Sequence, residues 1–71
     1  MERKAVHSSS VAAIGYDETE HVLEIEFRNN SVYHYLHVPA AAYRLLLLAS
    51  SIGDYVNTVI KPRFDVLRVK P

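Results

Sequence analysis

The sequence predicts an α+β domain: an antiparallel three-stranded meander, with a possible fourth C-terminal strand, and two short helices packed on one face. Apolar and polar residues alternate with a period of two through residues 21–28, which is typical of a half-buried strand. After Pro39 the apolar spacing changes to the i, i+3, i+4 repeat of a helix. The chain has 71 residues, which is enough for one domain.

The predicted strands occupy the first half of the domain. Val11 to Tyr16 is the first, and Asp17 favours the polar turn that follows because its carboxylate can bond its own backbone. The second strand alternates apolar with charged side chains: Leu23, Ile25 and Phe27 with Glu24, Glu26 and Arg28. Val32 to Val38 is rich in β-branched and aromatic residues and is predicted as the third strand.

The hairpin at Asn29-Asn30 leaves two registers open. A two-residue loop places Tyr33 and Tyr35 on the face away from Leu23, each opposite a glutamate. A three-residue loop with a bulge reverses this and buries both tyrosines beside Ile25. The two-residue loop is favoured, because Asn tolerates the positive φ of a type I′ turn.

Two helices are predicted after the sheet. Pro39 suits the start of the first, which runs from Ala40 to Ala49. Ser51 is the expected N-cap of the second, with Asp54 three residues on, and Pro62 is expected to end it. The apolar face of the second helix is formed by Ile52, Tyr55, Val56, Val59 and Ile60.

The segments outside these elements are also assigned from their pattern. Residues 1–7 show no periodicity and are predicted to form a flexible N-terminal tail, so the domain spans residues 8–71. Residues 63–69 alternate and form the possible fourth strand. The first helix is apolar on more than one stripe, so either it is buried on two sides or Leu45 or Leu48 awaits a partner.

Composition excludes several classes of protein. The chain has no Cys, which excludes disulfide frameworks and thiol nucleophiles, and its formal net charge is zero. Residues 1–38 carry three basic and six acidic side chains, whereas residues 39–71 carry five and two. No apolar run approaches membrane-spanning length, and the start of the chain is too polar for a signal peptide, so no membrane partner and a cytoplasmic location are expected.

No arrangement of residues predicts an enzyme. Ser8-Ser9-Ser10 lacks a nucleophile elbow, and the four histidines are too scattered for a metal site and are expected to be solvated. No cofactor is predicted. Gly15 is interpreted as permitting either a close backbone approach or a bulge beside Tyr16 in the first strand.

The candidate binding residues are two aromatics and the polar groups that could join them. Tyr33 and Tyr35 alternate on one strand and therefore share a face, where they either pack structurally or stack single-stranded bases. Phosphate contacts would come from the basic C-terminal half. The candidate set is Tyr33, Tyr35, Asn57, Lys61, Arg63 and Arg68.

Several segments together resemble the KTSC domain, a bacterial module of about this length. The opening Ser8 to Asp17, the strand Leu23 to Phe27, Tyr33-His34-Tyr35 with Val38-Pro39, and Ser51 to Asn57 each resemble the family pattern in the same order. The similarity runs from about Ser8 to Phe64. Two residues depart from it: Ile52 stands where the family tends to have Lys, and Pro62 stands where Gly is common.

The resemblance implies a small non-catalytic binding module, found alone or at the C-terminus of some lysyl-tRNA synthetases, with RNA as the suggested ligand. The alternative is a protein-interaction or self-associating domain that uses the Leu-rich helix, with a protein partner or a second copy of the chain. Loss of the Lys at position 52 removes one positive charge that a phosphate site would use.

Overall fold

In a computed structural model that describes residues 1–70, the chain forms one antiparallel sheet and two helical segments. The strands are β1 (Arg3–Ala5), β2 (Val11–Asp17), β3 (Val22–Phe27), β4 (Val32–Tyr35) and β5 (Val66–Lys70). The helices are α1 (Ala40–Leu48), α2 (Ile52–Tyr55) and α3 (Lys61–Arg63), with a π-helical stretch, Val56–Ile60, between the last two. The predicted α+β class and antiparallel meander are confirmed, but the sheet has five strands in chain order rather than three or four.

The N-terminal segment differs from its prediction as a loose tail, because Arg3–Ala5 forms the edge strand β1 and pairs with β2. Arg3 lies opposite Gly15, whose missing side chain lets the two backbones approach. A Cβ atom at Gly15 would lie 2.7 Å from the backbone oxygen of Glu2, which confirms the close approach rather than a bulge at this glycine. The register shift of β2 lies between Val11 and Ala13 instead. At the other end of the predicted domain, position 71 lies outside the described residues.

Replacing Gly15 by alanine is expected to displace β1, because the added methyl group meets backbone that cannot rotate away. We expect faster amide hydrogen exchange in Arg3–Ala5 and a loss of about 1–3 kcal/mol in the free energy of unfolding. Gly53→Ala is the matched control: its Cβ would meet the Ser10 hydroxyl, a side-chain atom that can rotate. Unchanged exchange in β1 of the Gly15 variant would contradict this account.

The β3–β4 hairpin has the three-residue loop, so the favoured two-residue loop is wrong. The Phe27 N–H donates to the Ser31 oxygen and the Asn30 N–H donates to the Phe27 oxygen, both at 2.9 Å. Asn30 takes a φ of 72°, the left-handed conformation that ends such a loop. Tyr33 therefore lies opposite Ile25 and Tyr35 opposite Leu23. The glutamates pair instead with Val32 and His34.

The core lies between one face of the sheet and the helices. Ile14, Leu23 and Ile25 are fully buried on the sheet side, and Leu46 and Ile60 on the helix side. The Tyr43 ring of α1 stacks on the Tyr16 ring of β2, with centroids 4.7 Å apart and planes at 11°. The rest of the buried cluster comprises Val11, Tyr35, Val38, Ile52 and Val56.

The second helical segment begins as predicted but ends later. The Asp54 N–H donates to the Ser51 hydroxyl at 3.2 Å, which confirms Ser51 as the N-cap. Pro62 does not end the helical segment, which continues to Arg63. The Lys61 N–H bonds the Val56 oxygen, five residues back, so the preceding turn is wider than an α-turn. We attribute the tolerance of Pro62 to this wider turn, since proline clashes with a regular α-helix.

Two leucine side chains on the outer side of α1 are exposed to solvent. Leu46 is fully buried, whereas Leu45 is 57% and Leu48 81% exposed. The helix is therefore buried on one side only. The structure excludes burial on two sides and leaves Leu45 and Leu48 without a packing partner in the part of the chain that it describes. Within residues 1–70, no helix combines the length and apolar character needed to cross a membrane.

Candidate functional site

An open groove of about 630 Å³ lies beside the core, where β3 and β4 meet their hairpin loop. The register places the ring-bearing residues of the groove on the same sheet face as Leu23 and Ile25. Lys61 at the start of α3 and Val66 on β5 border it. The lining residues are Ser10, Phe27, Arg28, Asn29, Ser31, Tyr33, Tyr35, Lys61 and Val66.

Two aromatic rings lie next to each other at this groove, and a cation lies over each of them. The Phe27 and Tyr33 rings meet edge to face, with centroids 5.6 Å apart and planes at 77°. The Lys61 Nζ lies 5.5 Å from the Phe27 centroid, and the Arg68 Cζ lies 5.7 Å from the Tyr33 centroid. These distances are typical of cation–π contacts. The four side chains form an array that we call the cation–aromatic array: Lys61, Phe27, Tyr33 and Arg68.

The carboxylates of the middle strand lie on the opposite face of the sheet. Glu24 accepts from Arg3 Nε at 3.1 Å and contacts His34 Nε2 at 2.7 Å, and Glu26 accepts from Arg3 Nη1 at 3.1 Å. The groove lining, as described within residues 1–70, contains no Asp or Glu. The three-residue hairpin loop therefore separates the tyrosines from the glutamates that the other register would place beside them.

The hairpin loop forms a polar rim at one end of the groove. Ser31, only 2% exposed, donates its backbone N–H and its hydroxyl to Asn29 Oδ1, at 3.0 and 2.6 Å. Arg28 donates from Nε and Nη2 to the backbone oxygens of Ser8 and Val6. These bonds fix the rim to the segment that precedes β2, so its side chains are held in place before any ligand arrives.

Burial changes the proton affinity of Tyr35 at the inner end of the groove. Desolvation raises the pKa of the Tyr35 hydroxyl above its usual range, and the neighbouring Tyr33 adds to the effect. Tyr16, whose hydroxyl donates to the Val38 oxygen, also has a raised pKa, first through desolvation and then through Glu18. Both phenols therefore resist ionisation in the folded state.

Alkaline pH is expected to destabilise the domain. Because the folded-state pKa of Tyr35 is raised, its contribution to stability is complete below the unfolded value of about 10 and is lost as pH rises through the folded pKa. Urea unfolding at a series of pH values measures this. Tyr35→Phe is expected to show a smaller loss above that pH than the parent chain, and an equal loss would contradict the assignment.

The structure brings most of the predicted site residues together. Tyr33, Tyr35 and Lys61 line the groove, and Arg68 covers the Tyr33 ring. Asn57 and Arg63 are exposed on the second helical segment and do not line the groove.

The sequence reasoning missed the residues that the hairpin contributes. The alternation of Leu23 and Ile25 predicts that Phe27 faces the core, but Phe27 is only half-buried and forms the centre of the array. The turn signal at Asn29-Asn30 predicts the hairpin but gives no role to the side chains of Asn29 and Ser31. The sequence gives one indication of their role: a three-residue hairpin loop, the alternative to the favoured one, places the tyrosines beside Phe27.

The histidines and the second groove have fewer free groups for binding a ligand than the first groove has. His34 is half-buried and bonded to Glu24, so it is not simply solvated as predicted. Among residues 1–70, no three His, Asp or Glu side chains cluster as metal ligands would. The second groove, of about 590 Å³, has mixed charge, and its two lining tyrosines, Tyr16 and Tyr43, already stack on each other.

Comparison with known proteins identifies the family to which this fold belongs. The model of the KTSC domain family matches residues 7–64, most of the chain. The chain belongs to the KTSC domain family. The crystal structure of a KTSC domain protein from Yersinia pestis has the same fold, with a TM-score of 0.92 and 38% identity over 96% of both chains.

Two further proteins are similar in sequence to this KTSC domain over most of its length. An uncharacterized protein from Stutzerimonas stutzeri is 41% identical over 63 residues, covering 89% of each chain. A protein from Tsukamurella paurometabola is 42% identical over 59 residues, covering 83% of this chain and 88% of its own. Within this KTSC domain, Ile52 is buried in the core, so the residue that departs from the family pattern serves packing.

Proposed function

We propose that this KTSC domain is a small non-catalytic module that binds single-stranded RNA in the aromatic groove, in the cytoplasm. The observation that supports the proposal is the cation–aromatic array. Two rings that meet edge to face, each with a cation over it, provide both of the contacts that single-stranded nucleic acids use.

Each part of the array has a role in the proposed complex. A base stacked on an aromatic ring contributes about 1–3 kcal/mol to binding and does so for every base. Lys61 and Arg68 are exposed, and no carboxylate in residues 1–70 forms an ion pair with either of them. An entering base replaces the cations over the rings, and the cations move to the flanking phosphates, where most of the affinity arises.

The non-catalytic part of the proposal rests on how the groove's reactive groups are arranged. Ser10, Ser31 and Tyr33 bring hydroxyl groups, but no histidine or carboxylate lines the groove as described within residues 1–70. Acid–base catalysis needs such a group within hydrogen-bond reach of a nucleophile.

Titration of a labelled single-stranded RNA octanucleotide of mixed sequence tests the proposal. Fluorescence anisotropy at about 50 mM and about 200 mM salt should show binding that weakens with salt, with a log–log slope between about −1.4 for two neutralised phosphates and about −2.1 for three. Double-stranded RNA of the same sequence is the control and should bind more weakly, because its bases are not free to stack. No binding at the lower salt would refute the proposal.

A second candidate is self-association through α1, which the exposure of Leu45 and Leu48 favours. Sedimentation velocity across a concentration series measures it directly. A dimer that disappears in the Leu45→Ser, Leu48→Ser double variant would support this candidate. A parent chain that sediments as a monomer at every concentration would exclude it.

A further inference from the structure

The amide and charged side chains at the hairpin rim of the groove present hydrogen-bond donors. Asn29 Oδ1 already accepts two bonds from Ser31, so the free end of this carboxamide is its NH₂ group. Among the residues the structure describes, no acceptor takes a hydrogen bond from that NH₂ group. Lys61 and the unused N–H groups of Arg28 add only donors.

From this polarity we infer that the groove selects nucleobases with carbonyl edges, uracil and guanine, over the amino bases adenine and cytosine. The inference rests on the proposed function, since it concerns which base enters the same groove. Uracil offers two carbonyl oxygens, and guanine offers O6 beside the acceptor N7. The exocyclic amino groups of adenine and cytosine need an acceptor.

The buried position of Ser31 makes this polarity a fixed property of the site. Turning the Asn29 carboxamide over would aim its NH₂ group at the Ser31 N–H and would leave that N–H, which is part-buried, without an acceptor. An unsatisfied buried donor is costly, so the rim holds one orientation. The hydroxyls of Ser10, Tyr33 and Tyr35 can donate or accept, so they do not discriminate between the two classes of base. The Ser31 hydroxyl donates to Asn29 and belongs to a residue that is only 2% exposed.

Competition between labelled oligonucleotides tests the inference. We expect oligouridylate and alternating guanosine–uridine RNA to bind about five- to tenfold more tightly than oligoadenylate and alternating adenosine–cytidine RNA. Asn29→Asp keeps the acceptor for Ser31 and turns the free NH₂ donor into an acceptor. This variant should lose the preference or reverse it.

Asn57→Asp is the matched control, because it adds the same negative charge at an exposed asparagine outside the groove. This variant should weaken the binding of every oligonucleotide equally and should keep the preference for uracil and guanine. Equal binding of all four oligonucleotides by the parent chain, or a preference for the amino bases, overturns the inference and leaves the proposed function standing. Failure of all four to bind overturns both.

Discussion

Replacing Tyr33 by alanine is expected to weaken the binding of single-stranded RNA by about fivefold to about a hundredfold. The variant removes one of the two ring faces of the array and also releases Arg68 from its position 5.7 Å from that ring. Tyr33 is only half-buried, so the fold should tolerate the change better than a core truncation. Fluorescence anisotropy with the mixed octanucleotide measures the loss.

Two further variants show whether stacking causes that loss. Tyr33→Phe keeps the ring and should retain most of the affinity. Lys61→Gln should weaken binding and make it less sensitive to salt, whereas Lys4→Gln, on the opposite edge strand β1, should do neither. If Tyr33→Ala bound as tightly as the parent chain while folded, the groove would not be the RNA site.

Replacing Ile25 by alanine is expected to cost about 2–5 kcal/mol in the free energy of unfolding, which is the largest stability effect we predict. Ile25 is fully buried and pairs with Ile14 on one side and Tyr33 on the other. Its truncation opens a cavity in the buried cluster that the sheet shares with the helices. For a domain this short and without a disulfide, such a loss approaches the whole stability.

Urea unfolding followed by circular dichroism measures this loss. Leu45→Ala is the control: it also truncates a large aliphatic side chain, but at a residue that is 57% exposed. It should change the free energy of unfolding by less than about 0.5 kcal/mol. Similar losses in the two variants would show that Ile25 is not part of the core.

Local chemistry made several elements of this KTSC domain predictable. The alternation in β3 and the Ser51 cap each depend on residues within a few positions of one another. Asp17 likewise bonds the Thr19 and Glu20 N–H groups in the turn where it was expected. Such features follow from side-chain chemistry alone, without knowledge of the rest of the chain.

The features that the sequence did not predict depend on contacts between distant segments. β1 is short and polar, and it is a strand because Gly15 admits its backbone. The two-residue loop needs a positive φ at both Asn29 and Asn30, whereas in this structure only Asn30 has one. The backbone conformation of the two asparagines therefore sets the register of the hairpin. One residue of loop length then transfers Tyr33 and Tyr35 from the solvent face to the core face.

The same reasoning explains the mixed result for the candidate site. The alternation of Tyr33 and Tyr35 predicts that they share a face, and the basic character of the C-terminal half predicts a role for Lys61. Arg68 reaches the groove because β5 pairs with β4 and places it opposite Tyr33. The chemistry of Asn57 and Arg63 predicts binding, but the helical geometry places both residues outside the groove.

NMR titration of the side chains of β4 and its neighbours tests the central claim most directly. Tyr33 and His34 are adjacent in sequence but lie on opposite faces of the sheet, Tyr33 in the groove and His34 on Glu24. On addition of single-stranded RNA, the ring signals of Phe27 and Tyr33 should shift, while the ring signals of His34 stay in place. Shifts of the His34 ring without shifts of Phe27 and Tyr33 would place the RNA on the other face and contradict the account.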